Sequence, residues 1–300
     1  MGEAIVLESV TKTFGPKVAV EELDLVVPEA GVYGFIGPNG AGKTTTIRMV
    51  MSILFPDRGK ISVLGHDSAL EAKDRIGYLP EERGVYRKMK AGAFLGYMAR
   101  LKGCDGRGVK TRVGSWLEKV GLADVENKRC EELSKGMQQK IQLVGTVLHQ
   151  PDLVILDEPF SGLDPINQGL FKDMLAEFKR DGRTILFSTH IMEQAEKLCD
   201  HICLISGGLA VLTGALTDIK RDFGGNTYRL AASGDQGTLE TIAGVEGVTA
   251  YDAYYRLLLG EDATASTVLA QIVQQMDVHE FRSEEPELEE IFIKAVRDAA

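Results

Sequence analysis

Residues 4–14 (AIVLESVTKTF) and 18–27 (VAVEELDLVV) alternate apolar and polar positions on either side of Gly15-Pro16, which predicts two strands joined as a hairpin or meander. A short apolar run, Val32-Tyr33-Gly34-Phe35-Ile36, passes through a glycine-rich loop into residues 44–54 (TTTIRMVMSIL), where the spacing turns helical. Residues 59–65 read as a further strand, and residues 74–78 lead into another. From Val85 to Leu148 the texture is that of long helices: AGAFLGYMARLK, TRVGSWLEKVGL and MQQKIQLVGTVLHQ. Two more strands follow, LVILD at 153–157 and TILFST at 184–189, with a helix between them that starts after Pro165 and ends near Arg180-Asp181-Gly182. Residues 201–217 read as strand, turn, strand around Ser206-Gly207-Gly208. Strands alternating with helices predict an α/β fold with a parallel sheet, and the helical block at about 86–149 reads as an inserted subdomain.

After Asp222 the pattern restarts. TYRLAA, a short helix after Thr238, VTAYDAYYRLLL, a helix at 265–276, VHEFRS and a last helix at 288–296 predict a small C-terminal α+β domain. The boundary is placed at the glycine-rich joint Phe223-Gly224-Gly225-Asn226, giving domains at 1–222 and 223–300.

The whole chain of 300 residues carries a net charge of −10, unevenly placed: residues 223–300 hold 14 acidic and 5 basic side chains. No stretch shows the basic excess of a protein that binds nucleic acid through its phosphates, so nucleic acid is not expected as a partner. Four scattered cysteines (Cys104, Cys130, Cys199, Cys203) predict free thiols rather than a disulfide framework, with Cys199 and Cys203 spaced for one helix face. The N-terminus has neither a basic start nor a long apolar stretch, and Gly2 lacks the Ser or Thr of a myristoylation motif. No segment reaches the roughly 20 mostly apolar residues of a membrane span. A soluble chain is expected, held at a membrane only by something else.

The chemistry is concentrated in two segments. Gly37-Pro38-Asn39-Gly40-Ala41-Gly42-Lys43-Thr44 matches G-x-x-x-x-G-K-[ST] and lies between a predicted strand and a predicted helix. Glycines there let backbone N–H groups converge on phosphate oxygens, and the helix N-terminus adds partial positive charge. Lys43 is placed to reach the β- and γ-phosphates of a nucleotide and Thr44, followed by Thr45, to ligate Mg²⁺. LVILDEP then brings Asp157 to the end of an apolar strand, suited to Mg²⁺, and Glu158 one residue further, suited to orienting a water for in-line attack.

With these in place, Leu133-Ser134-Lys135-Gly136-Met137-Gln138-Gln139 resembles the signature motif of ABC ATPases, usually written LSGGQ. Ser161-Gly162-Leu163-Asp164 is similar to the family's D-loop and His190 to its switch histidine, so five motifs in family order cover almost all of residues 1–220. The resemblance implies a P-loop NTPase that hydrolyses ATP with Mg²⁺. It also implies a head-to-tail dimer, homodimeric or with a second ABC ATPase, in which each ATP lies between one chain's phosphate loop and the other's signature (Ser134, Lys135, Gly136, Met137). Catalysis falls to Glu158, His190 and Lys43. Ser134 also suits a helix N-cap and Asp164 the cap of the helix after Pro165. Phe14 stands where the family stacks an aromatic ring on adenine; a core phenylalanine in the hairpin is the other reading.

Two departures qualify the resemblance. Glu81 stands where the family has glutamine, followed by Glu82 and Arg83, and Lys135 and Met137 replace the signature's usual glycine and glutamine. A carboxylate at 81 binds Mg²⁺ more strongly than an amide but repels a γ-phosphate without the metal. By resemblance, residues 83–103, with Tyr86, Arg87, Lys88, Phe94 and Tyr97, receive an integral membrane permease subunit. ELEEIFIKAV near the end resembles the tail of ATPase subunits serving ABC-2 exporters of the drug or sodium type. The expectation is an ATPase subunit of an exporter, cytoplasmic and peripheral on the inner face of the membrane. The rivals are a soluble ABC ATPase acting on ribosomes or DNA, a non-catalytic nucleotide-gated module, and an ATPase whose membrane partner senses rather than transports.

Overall fold

In the computed structural model, residues 2–82, 84–104, 106–224, 226–260 and 262–298 are described. Arg83 and, in the glycine joint, Gly225 lie outside the described residues. The alternating N-terminal segments form β1 (Glu3–Phe14) and β2 (Lys17–Pro28), a hairpin turned at Gly15 with φ 58°. After β3 (Gly31–Ile36) and α1 (Lys43–Val50), β4 (Arg58–Val63) pairs with β1 on its other side, so the first sheet runs β2-β1-β4, all antiparallel.

Next come β5 (Ile76–Leu79), the helical block α2 (Ala91–Leu101), α3 (Gly106–Lys119) and α4 (Lys135–Val147), then β6 (Leu153–Asp157), α5 (Pro165–Arg180), β7 (Thr184–Thr189), α6 (Met192–Leu198), β8 (His201–Ser206) and β9 (Leu209–Ala215). The second sheet orders these strands β5-β6-β7-β3-β8-β9, parallel except for β9, which returns antiparallel along β8. Every residue of β6 and β7 is buried, as strands covered on both faces must be, which is why both have continuous apolar centres, residues 153–156 and 185–187. One core packs the helical block and α5 on the sheet through Phe94, Leu95, Leu117, Phe171 and Phe178; the other packs α1 between the two sheets through Ile47 and Val50. Each such side chain contributes about 1.5–3 kcal/mol on burial. α5 starts and stops where the sequence says: Asp164 caps it, Pro165 opens it, and Gly182 at φ 76° follows its last cap.

The chain divides into two compact units, one holding residues up to 215 together with the chain from 295, the other residues 216–294. The second contains α7 (Leu216–Gly224), β10 (Thr227–Ser233), α8 (Gln236–Glu240), β11 (Val245–Ala250), β12 (Tyr255–Leu259), α9 (Ala265–Ile272), β13 (Asp277–Ser283) and most of α10 (Leu288–Asp298). Its sheet runs β11-β12-β10-β13, all antiparallel, with Leu239, Val268 and Ile272 packed against Leu230 and Leu257.

Three local expectations change. VTAYDAYYRLLL is two strands, because Tyr251 N–H closes a turn on the Tyr254 carbonyl at 2.8 Å and the two rings stack at 4.7 Å. The helix expected after Thr238 starts at Gln236, one residue past Asp235. Cys199 ends α6 while Cys203 lies in β8, so they share no helix face; all four thiols are free. Among the described residues no helix is long and apolar enough to cross a membrane.

Candidate functional site

The loop between β3 and α1 is held from both sides. The Gly37 N–H donates to the Thr189 carbonyl at 3.3 Å, and the Ala41 carbonyl accepts from the Gly208 N–H at 3.0 Å. Gly42, at the N-cap of α1, has φ 112°, and a Cβ there would stand 2.5 Å from the Ala19 carbonyl oxygen, so glycine alone fits. Lys43 is only 6% exposed. Its ammonium donates to the carbonyls of Gly37 (2.7 Å) and Pro38 (3.2 Å) and lies 3.5 Å from Glu158 Oε1. The side chains of an eight-residue helix start thus face an open cleft of about 330 Å³, which also gathers Phe14, Asn39, Gly40, Thr44, Thr45, Glu81 and Glu158. Gly37 and Ala41 sit behind it, buried. Phe14 is half exposed, with the Lys12 ammonium 5.6 Å from its ring centre, and is not a core residue.

Asp157 and Glu158 close the floor. Asp157 is buried; its Oδ1 accepts from the Ser188 hydroxyl at 2.6 Å and from the Thr44 hydroxyl at 3.3 Å. The same Ser188 oxygen accepts from the Glu158 N–H at 3.0 Å, so one hydroxyl locks both acids. Glu158 has φ 49°, a left-handed backbone that costs a non-glycine residue and turns its side chain back toward the loop. Its Oε2 meets His190 Nδ1 at 3.0 Å, with the imidazole nearly half exposed. Asp157 Oδ2 and Glu158 Oε1 are buried and accept no hydrogen bond, Glu158 Oε1 having only its ionic contact with Lys43. Such oxygens beside a hydroxyl fit a hard divalent cation, which proteins hold with one or two carboxylates plus substrate phosphates. Among the described residues no cluster of three or more His, Cys, Asp or Glu could hold a metal ion by itself. The Asp157 charge acts beyond the pair: with burial the larger cause, it helps push the Tyr78 hydroxyl up to about 12.

The remaining candidates are not in this cleft. Ser134 caps α4, its hydroxyl accepting from the Met137 N–H at 3.3 Å, and Ser134 and Lys135 are exposed. Asp164 caps α5 through the Asn167 N–H at 3.0 Å, a bond that holds its carboxyl below the ordinary range. Asn167, gripped a second time through its amide by Asp164, stands against Gly136, so Gly136 of the signature segment and Asp164 meet the same side chain. Tyr86 is exposed and meets Phe94 and Tyr97 edge-on; Phe94 itself is buried in the core and offers no surface.

Sequence reasoning missed Ser188, visible only as one of three hydroxyls in its strand, and Gln139, whose amide donates to the Pro159 (3.0 Å) and Ser161 (3.4 Å) carbonyls just beyond Glu158. Lys17, on the cleft rim, was also missed.

Both parts of the chain resemble known proteins. Residues 20–161 match the ABC transporter family, and residues 214–296 match the C-terminal domain of ATP-binding proteins of the DrrA1-3 type. The chain is 43% identical over 292 residues, 97% of its own length and 98% of the relative's, to the uncharacterised ABC transporter ATP-binding protein YhaQ of Bacillus subtilis. It is 35% identical to the Nod factor export ATP-binding protein I of Rhizobium etli, covering 80% of this chain and 77% of that protein. Its fold resembles a solved ATP-binding subunit of an ABC transporter with a TM-score of 0.69 and 31% identity, over 74% of this chain and 93% of that one.

Proposed function

This chain belongs to the ABC transporter ATP-binding proteins, which hydrolyse ATP to power transport through a membrane permease, and from that premise we propose which of its residues act and in which direction transport runs. ATP lies with its phosphates on the loop Gly37, Pro38, Asn39, Gly40, Ala41, Gly42 and its adenine on the half-exposed Phe14 ring. Lys43 donates to the β- and γ-phosphates, exchanging its carbonyl partners for phosphate oxygens, and Thr44 and Thr45 border the same phosphates. Thr44 and Asp157, already bonded to each other, would hold Mg²⁺, which would supply charge neutralisation to the phosphates.

Glu158 accepts a hydrogen bond from the attacking water and orients it at the γ-phosphorus. A water oxygen–phosphorus bond forms as the bond to the β-phosphate oxygen breaks; ADP leaves with that bond's electron pair, and phosphate leaves once the water's proton has passed by way of Glu158 to solvent. His190, bonded to the other Glu158 oxygen, holds that carboxylate in line and reaches the γ-phosphate. The observation that carries this reading is the buried Lys43 ammonium 3.5 Å from Glu158 Oε1, with Asp157 bonded to the Thr44 hydroxyl and keeping its buried Oδ2 without a donor.

The signature, with Ser134 and Lys135 exposed and Gly136 and Met137 half-buried, faces the ATP of a second ABC ATPase, the same chain or another, with Asp164 at the seam. Residues 1–222 do this chemistry and residues 223–300 form an accessory domain. The permease holds the chain at the cytoplasmic side of the membrane, and transport is export. The export assignment is supported by the likeness to the Nod factor export protein and to the DrrA-type tail.

The test is Glu158→Gln in the full chain with its permease. Bound ATP should persist while phosphate release stops; turnover at the unmodified rate, or no ATP binding by the unmodified chain, would overturn the reading. Direction is read separately, by ATP-driven uptake into inside-out vesicles.

A further inference from the structure

We propose that Glu81 makes nucleotide binding conditional on the divalent cation: it turns away the bare triphosphate and admits the metal–ATP complex. The inference rests on the reading of the cleft as an ATP site. Parallel pairing sets Leu79 of β5 beside Leu156 of β6, so the two strands end side by side, with Glu81 just beyond one end and Asp157 and Glu158 at the other. Glu81 borders both the loop cleft and an adjoining cavity of about 640 Å³ that Asp157 and Glu158 also line.

Glu81, Asp157 and Glu158 therefore line one cavity beside the phosphate loop, with the exposed Glu82 at its edge, and Asp157 already presents a buried oxygen without a donor. Against them stands Lys43, whose ammonium is engaged by two carbonyls and faces Glu158. Lys17 is exposed at the rim. An ionised carboxylate also has nothing to donate, whereas an amide offers two N–H groups to a phosphate oxygen. A metal-free triphosphate thus meets like charge and gains no hydrogen bond at residue 81, while a bound cation converts the same carboxylate into an attractive neighbour.

The neighbouring Glu82 provides an internal contrast. Its side chain lies 4.0 Å from Arg48 and its carbonyl accepts from the Gln142 amide at 3.2 Å. That anchor ties the Glu81 segment to α4, the helix capped by Ser134.

The experiment measures the ATP dissociation constant of the full chain in excess Mg²⁺ and in EDTA, for the unmodified protein, Glu81→Gln and Glu82→Gln. Glu81→Gln should shrink the EDTA-to-Mg²⁺ ratio by about tenfold, mainly through tighter binding in EDTA, because the coupling between two ligands is what the carboxylate supplies. Glu82→Gln should leave the ratio within about threefold of the unmodified value, as its charge is exposed and partnered. An unchanged ratio in Glu81→Gln, or an equal shift in Glu82→Gln, would overturn the assignment while leaving the ATP site intact. Failure of the unmodified chain to bind ATP in Mg²⁺ would instead overturn the site reading and this inference with it.

Discussion

The end of the six-stranded sheet and the tail sheet of residues 227–283 solve the problem of charge in opposite ways. Every buried polar or charged side chain among the described residues belongs to the first unit, and Lys43, Asp157, Ser188, Thr189 and Gln194 cluster around the ends of β6 and β7. The tail core, Leu230, Leu239, Ile242, Leu257, Leu259, Val268, Ile272 and Met276, is wholly apolar. Its charges lie outside. Arg256, Arg229 and Arg282 stand in one row across β12, β10 and β13, an arrangement that like-charge repulsion disfavours. Carboxylates offset it: Glu284 and Glu290 take Arg256 at 2.6 and 2.9 Å, and Glu280 lies beside Arg229 and Arg282. The tail keeps its core dry and pairs its charges outside it, although Arg229 Nε, 3.7 Å from Glu280, makes no hydrogen bond. The end of the six-stranded sheet instead buries an acid, Asp157, leaves its Oδ2 without a donor, and holds Glu158 on a strained backbone.

The contrast breaks most visibly at Glu158, where the glutamine variant should lose about 10²–10⁴-fold in kcat, read by phosphate release, with little change in melting temperature. The mirror experiment is Leu257→Ala in the tail. It should cost that unit about 2–5 kcal/mol, seen by denaturant unfolding, and leave ATP affinity unchanged. Ser188→Ala should do both things at once, costing about 1–3 kcal/mol and slowing turnover per folded molecule, since one hydroxyl serves Asp157 and Glu158.

The smallest effect is one of pH at His149, whose imidazole is pushed down to about 4 chiefly by burial and then by the Lys102 charge. The fold favours the neutral ring. Its contribution is therefore complete above the unfolded value near 6.5 and is lost as pH falls from there through 4. Melting temperature should drop by a few degrees over that window, and His149→Gln should flatten the slope.

What could be read from the chain follows the distance between interacting residues. The strand, loop and helix around Gly37 to Thr44, and the apolar strand ending in Asp157, are written in consecutive residues, and the caps Ser134 and Asp164 act within three or four positions. The bridge from Ser188 to both acids joins residues some thirty positions apart and left no local pattern. The same holds for Gln139 reaching the turn beyond Glu158. In the tail, a continuous aromatic and apolar run concealed the turn at residues 251–254, because the two tyrosines that make it stack on each other rather than enter the core.

The place of β3 at the centre of the six-stranded sheet bears on how the molecule is made. Its two neighbours are β7, where Gly31 pairs with Thr184, and β8, where Tyr33 pairs with His201. Synthesis proceeds from the N-terminus, and pairings between distant segments form slowly because the intervening loop must close first. The strand that carries the phosphate loop therefore emerges from the ribosome early and waits, both edges open, until most of the first unit has been translated. A nascent chain interrupted before residue 201 has the loop's sequence but not its shape, and it exposes an apolar strand to any other incomplete chain nearby.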